Sequence, residues 1–144
     1  MSDPYSRQAA SVRWTHVLLR IFAGAILFQH GAQKMFGLLG GVDGAGHAAN
    51  VGLTLRFIAG PLEVFGGALI VVGLFTPVVA FILSGEMAVV YFLMHFGRSF
   101  WPIVNQGEVP VMLCFVFLYL ATTGAGVFSL DYLRNRRKPS AVMG

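Results

Sequence analysis

Residues 55–97 read LRFIAGPLEVFGGALIVVGLFTPVVAFILSGEMAVVYFLMHFG. Two apolar runs adjoin here, Leu55 to Phe75 and Pro77 to about Gly97, and each has the roughly 20 residues a membrane-crossing helix needs. Thr76-Pro77 separates them with a cap residue followed by proline at the first helical position, so the pair reads as a tight helical hairpin. On either side, Trp14 to Gly37 and about Val109 to Phe128 add a run of similar size. Four such spans nearly fill the chain, leaving no room for a soluble domain between them. The expectation is an all-α membrane protein, a four-transmembrane-helix bundle forming a single domain over residues 1–144.

Composition agrees with that reading. Of 144 residues, 56% are hydrophobic and 11% charged, whereas a soluble domain carries about a quarter charged residues. Mean hydropathy is +0.73, so the apolar side chains exceed what one small core absorbs, and a water-soluble enzyme is excluded. The single Cys114 leaves no intrachain disulfide and no thiolate metal cage. A net charge of +4 brings nucleic acid to mind, but the basic residues gather at the two ends: Arg7 and Arg13, then Arg134, Arg136, Arg137 and Lys138. They read as topology signals, with both termini cytoplasmic and residues 134–144 a basic cytoplasmic tail that meets anionic lipid; no nucleic-acid partner is expected. The long connections are a glycine-rich stretch from Leu38 to Thr54, including Gly52, and Arg98 to Glu108, whose Phe100, Trp101 and Pro102 suit a membrane interface. Arg20 interrupts the first apolar run, a poor secretory signal, so this segment is expected to stay as the first helix.

Ionisable residues inside hydrocarbon are rare and face the bundle interior, so each is a functional hypothesis. At 1.5 Å per residue, Arg20 lies about 9 Å above Trp14 and Glu86 about 14 Å above Pro77. Two readings stand open: a buried Arg20–Glu86 ion pair joining the first and third helices, or a snorkelling Arg20 beside a protonated Glu86. On the same scale His30 is about 24 Å and Lys34 about 30 Å above Trp14, and His95 about 27 Å above Pro77. With Glu63 and Glu108 these residues define a polar layer in the outer half, drawing on all four helices. His30, Gln33, Lys34 and Gly37 share one helical face, and Glu63 shares its face with Gly60 and Gly67, small residues that admit a neighbouring helix.

Two interpretations of this layer carry equal weight. It forms a pocket for a small polar head such as a quinone carbonyl, with Phe28, Phe36, Phe65 and Tyr91 as apolar walls, or it is a salt-bridge network that fixes helix register. Glu86 and His95, nine positions apart, fall on opposite faces of a straight helix and share a site only if that helix bends. A haem between His30 and His95 has no spacing signature behind it, and Asp43 with His47 is weak support for a metal site, so neither haem nor metal is expected. Nucleophilic hydrolysis lacks any elbow motif. Gly66, Gly73, Gly124 and Gly126 read as helix-packing surfaces.

The ordered set Leu19-Arg20-Ile21, Gly24, His30-Gly31-Ala32-Gln33-Lys34-Met35-Phe36-Gly37, Glu63-Val64-Phe65-Gly66-Gly67 and Gly73-Leu74-Phe75-Thr76 resembles the DoxX family of bacterial membrane proteins. His95, Asn105-Gln106-Gly107-Glu108, Gly124-Ala125-Gly126 and Ser129-Leu130-Asp131 extend the resemblance over nearly the whole chain. It implies a four-helix bundle in the bacterial cytoplasmic membrane and a link to membrane redox systems, among them thiosulfate-quinone oxidoreduction and complexes that handle thiol and superoxide stress. The family's motif positions fall on Arg20, His30, Gln33, Lys34, Glu63, Glu86, His95 and Glu108. Pro77 stands where a basic residue often follows the threonine of that turn, and Cys114 alone rules out self-contained dithiol chemistry. The resulting expectation is an oxidoreductase-associated membrane subunit that binds a quinone or similar small redox carrier. A membrane scaffold for soluble redox enzymes and a small-solute or proton pathway are the alternatives; redox-enzyme partners and homo-oligomers are both compatible with it.

Overall fold

A computed structural model describes residues 4–48 and 55–136, with side chains described for 9–48 and 57–136. The side chain of Arg7, and Gly52, Thr54, Arg137 and Lys138, lie outside the described residues. Among the described residues the chain is helical throughout, without strands. Helix α1 (Pro4–Phe36) is followed by a π-helical turn (Leu55–Ala59) that leads into α2 (Gly60–Val72). Helix α3 (Thr76–Val90) continues into a second π turn (Tyr91–His95). The short α4 (Pro102–Asn105) precedes α5 (Glu108–Thr123), and α6 (Leu130–Arg136) closes the described chain.

Local chemistry sets the hairpin between α2 and α3. Gly73 takes a left-handed φ of 68°, its N–H bonds to the Ile70 carbonyl and that of Leu74 to the Leu69 carbonyl, a Schellman ending that a side chain at Gly73 would strain. The expected cap at Thr76 is corrected: Thr76 is the first residue of α3, and its buried Oγ1 has no partner among the described residues. Asp131, distant in sequence, caps α3 instead, its Oδ1 accepting from the Phe75 N–H at 2.9 Å and its Oδ2 from the Thr76 N–H at 2.8 Å. Gly124 (φ 76°) and Gly126 (φ 68°) take positive φ in the turn after α5, and Gly126 also packs closely, since a Cβ there would stand 2.6 Å from the His16 ring of α1.

The helices pack as two intimate pairs, α1 with α2 and α3 with α5, which meet through α2–α3 and α1–α5 contacts. Between α1 and α2 the approach is backbone to backbone. A Cβ on Gly24 would stand 2.8 Å from the Gly67 carbonyl oxygen, and one on Gly31 2.8 Å from that of Gly60. The core is a cluster of small and branched residues around Leu27, Ile70, Leu83, Phe117 and Leu120. Outside it the helices stay apolar: Phe22, Phe81, Leu93 and Phe115 are exposed. Two segments, Ala9–Phe36 and Thr76–His95, are long and apolar enough to cross a membrane, and only 28% and 22% of their most apolar windows are buried. A buried core helix of a soluble protein would show the reverse, so these surfaces face an apolar solvent.

Helix α1 starts about ten residues before the expected Trp14, whose ring stacks on Phe128 with centroids 4.9 Å apart. Trp14 therefore lies level with the end of the bundle where α6 leaves, and the described part of each terminus sits at that end. The contacts of Arg20 remove the expected Arg20–Glu86 pair. Arg20 is buried at the same end, where Nη1 donates to the Ala125 carbonyl at 2.6 Å and Nη2 to those of Phe128 at 2.9 Å and Val71 at 3.3 Å. Val71 closes α2 and lies near the base of α3, whereas Glu86 is about 15 Å up α3 from Thr76. Helical side chains lean toward the N-terminus, which carries the Arg20 guanidinium down toward this end and away from Glu86.

Candidate functional site

At the opposite end of the bundle the polar residues converge. Lys34 in the last turn of α1 donates from Nζ to Oε1 of Glu63, in the first turn of α2. Glu63 is 1% exposed, and the close α1–α2 approach through glycine brings it within reach of the lysine. Its other oxygen, Oε2, is buried with no partner among the described residues, as are both carboxylate oxygens of Glu86 on α3. Glu86 is in electrostatic range of both Glu63 and Lys34.

A cavity of about 410 Å³ opens beside this pair. His30, Lys34, Glu63 and His95 line it, together with Arg98 and Gln106, which composition and spacing had not singled out for this role. Its apolar wall is Leu27, Met87, Val90, Met94, Val109, Pro110 and Leu113, and this corrects the expected wall: Phe28, Phe36 and Phe65 are exposed on the outer face, and Tyr91 is buried behind. Two more expectations shift. Gln33 donates to the Leu39 carbonyl at 3.3 Å and Glu108 is exposed at the start of α5; neither lines the cavity.

His95 reaches the site because the α3 helix ends in a π turn. The extra residue in that turn sets the helical phase back by about 100°, so the opposite-face relation of Glu86 and His95 expected for a straight helix does not hold. His95 Nδ1 is 3.0 Å from the Asn105 carbonyl oxygen. A carbonyl only accepts, so Nδ1 carries the proton and Nε2 is the nitrogen left for a ligand. Asn105 is fully buried and folds the loop behind His95: its amide donates to the Ser99 carbonyl at 2.7 Å, and its Oδ1 accepts from the Gly107 N–H at 2.8 Å. Tyr91 adds a 2.6 Å bond to the Phe100 carbonyl and stacks on the His95 ring. Gln106 between them takes a left-handed φ of 60°, so Asn105-Gln106-Gly107 was the local signal for this support.

The Asp43–His47 pair lies apart in the exposed loop after α1. Asp43 Oδ2 is 2.6 Å from His47 Nδ1, and the Ala45 N–H donates to Oδ1 at 2.9 Å. These bonds, chiefly that from the His47 side chain, hold the Asp43 carboxyl down at about 2. Among the described residues no three His, Cys, Asp or Glu side chains gather as a metal-ion set.

Fold and site together define an all-helical membrane protein with an ion pair and two histidines around an internal cavity. The sequence pattern of the DoxX family matches residues 15–96, and the chain belongs to that family. A Haemophilus influenzae protein named "Uncharacterized protein" is 39% identical over 116 residues, covering 78% of this chain and 85% of its own. A Bacillus subtilis protein named "Putative oxidoreductase CatD" is 26% identical over 117 residues, covering 80% of this chain and 83% of its own. No solved structure matches the chain.

Proposed function

We propose that the chain is a four-transmembrane-helix subunit of an oxidoreductase system in the bacterial cytoplasmic membrane, both termini cytoplasmic, holding a quinone or similar small redox carrier in the cavity beside Lys34 and Glu63. Among the described side chains, Arg13, Arg20, Arg134 and Arg136 mark the end that carries the described termini, against the one carboxylate of Asp131, which supports the orientation. Helix α5, with 16 residues, is about 24 Å long and packs along the membrane-length α3 helix, which supports four crossings. The printed name of the Bacillus subtilis relative supports the redox association.

The carrying observation is a buried ion pair with a spare carboxylate oxygen, set in the wall of an otherwise mostly apolar cavity of ligand size. A bound quinone supplies two-electron, two-proton redox chemistry. Lys34 and His30 donate hydrogen bonds to its head, Glu63 holds the lysine in position, and His95, fixed by Asn105, offers Nε2. The apolar wall excludes water. The test is quinone content after purification in lipid nanodiscs: near-stoichiometric quinone is expected in the parent and loss of most of it in His30→Ala and Glu63→Gln, with accumulation in the membrane retained. Equal quinone in all three proteins overturns the site.

A second reading, a proton or small-solute pathway, is favoured by Glu86, whose buried carboxylate oxygens have no partner among the described residues. It predicts proton or solute flux across sealed vesicles that Glu86→Gln abolishes, and vesicles without flux remove it.

A further inference from the structure

A second cavity lies at the other end of the bundle, far from Lys34 and Glu63. It is a groove of about 740 Å³ between α1 and α6, with Arg13 and Arg136 at its edges and Trp14, Val72, Tyr132 and Leu133 in its walls. A second groove of about 630 Å³ adjoins it, sharing Arg13 and Tyr132 and adding Arg134. Among the described residues none of these three arginines meets a carboxylate. Arg134 sits 4.7 Å from the centre of the Phe75 ring and Arg136 5.6 Å from that of Tyr132, contacts that hold the guanidinium groups but leave their charge unbalanced. Asp131 lines the second groove, but its two oxygens are turned to the Phe75 and Thr76 N–H groups and form no ion pair with these arginines among the described residues.

The walls indicate what balances the charge. A soluble anion needs no apolar surface, yet Trp14, Val72 and Leu133 line the same groove as Arg13 and Arg136. Trp and Tyr beside the groove match residues that settle at headgroup depth, and the groove stands where the apolar helix surfaces end. We propose that this groove binds an anionic phospholipid of the surrounding bilayer, its phosphodiester between Arg13 and Arg136 and an acyl chain against Trp14, Val72 and Leu133. The site is independent of the cavity proposed for the redox carrier and survives if that reading fails. It would tie the first helix to the last through a lipid that neither could hold alone.

Native mass spectrometry of the full chain released from detergent tests this, with palmitoyl-oleoyl phosphatidylglycerol and the phosphatidylcholine of the same chains as probes. The parent should retain phosphatidylglycerol about tenfold better than phosphatidylcholine, and R13Q/R136Q should bind it about thirtyfold more weakly. Free glycerol phosphate in excess should not displace it. Equal retention of the two lipids, unchanged binding by the double variant, or displacement by glycerol phosphate would each overturn the proposal. Should the double variant fail to accumulate, the comparison of the two lipids on the parent still decides.

Discussion

Lys34 and Glu63 show why charges placed in hydrocarbon come in pairs. Glu63 is buried and Lys34 largely so; each alone would leave an unbalanced charge in the bundle. Glu63→Ala or Lys34→Met alone should destabilise the protein by about 3 kcal/mol, while combining Lys34→Met with Glu63→Gln should recover part of that loss. Thermal unfolding in detergent reads this out, and a double variant as unstable as the sum of the singles would contradict it. Asp131→Ala removes two hydrogen bonds from the start of α3 and should lower stability by about 1–2 kcal/mol in the same assay. In the loop after α1, the Asp43 carboxyl is held at about 2 against 3.8 for the free group. Its contribution to loop order is thus present above pH 3.8 and lost as pH falls through about 2. Carboxyl chemical shifts should titrate near 2 in the parent and move up toward 3.8 in His47→Ala; an unmoved midpoint would exclude the His47 bond as the cause.

Helix α1 and α2 approach through glycine, and that contact places Lys34 against Glu63. A larger residue has nowhere to go: a Cβ on Gly31 would meet the Val64 backbone nitrogen at 2.7 Å, and one on Gly67 the Phe28 nitrogen at 2.7 Å. Gly31→Val and Gly67→Val should each destabilise by about 1–3 kcal/mol and weaken carrier retention in parallel, since the pair forms only across this seam. Gly85, whose Cβ would meet nothing within 4 Å, should accept alanine with little change, and matched losses at Gly85 and Gly31 would refute the seam. Much of this element-level arrangement was legible. Four apolar runs, the hairpin at Thr76-Pro77 and the small-residue face around Glu63 follow from helical spacing. The π turns at Leu55–Ala59 and Tyr91–His95 were not, because a π turn depends on neighbouring packing and leaves no composition signal.

The assembled chain exposes apolar side chains around its waist and gathers arginine at one end, which sets its orientation in a bilayer. With Cys114→Ser as background, a cysteine placed at Ala45 should react with a membrane-impermeant maleimide from outside the cell, and one at Ser140 only after permeabilisation. Reaction of Ser140→Cys in intact cells would reverse the topology. Membership of the membrane class, the helical runs and the candidacy of His30, Lys34, Glu63 and His95 were legible in composition and periodicity, since hydrocarbon penalises charge wherever it occurs along the chain. Which of those residues meet was decided only in three dimensions. Arg20 found three carbonyls and not Glu86, Asp131 capped a helix 55 residues away from it, and Gln33 and Glu108 fell outside the cavity while Arg98 and Gln106 entered it. Depth along a helix can be counted from sequence, but the register between helices depends on how closely their backbones pack, and a shift of one turn exchanges the partners of every buried polar group.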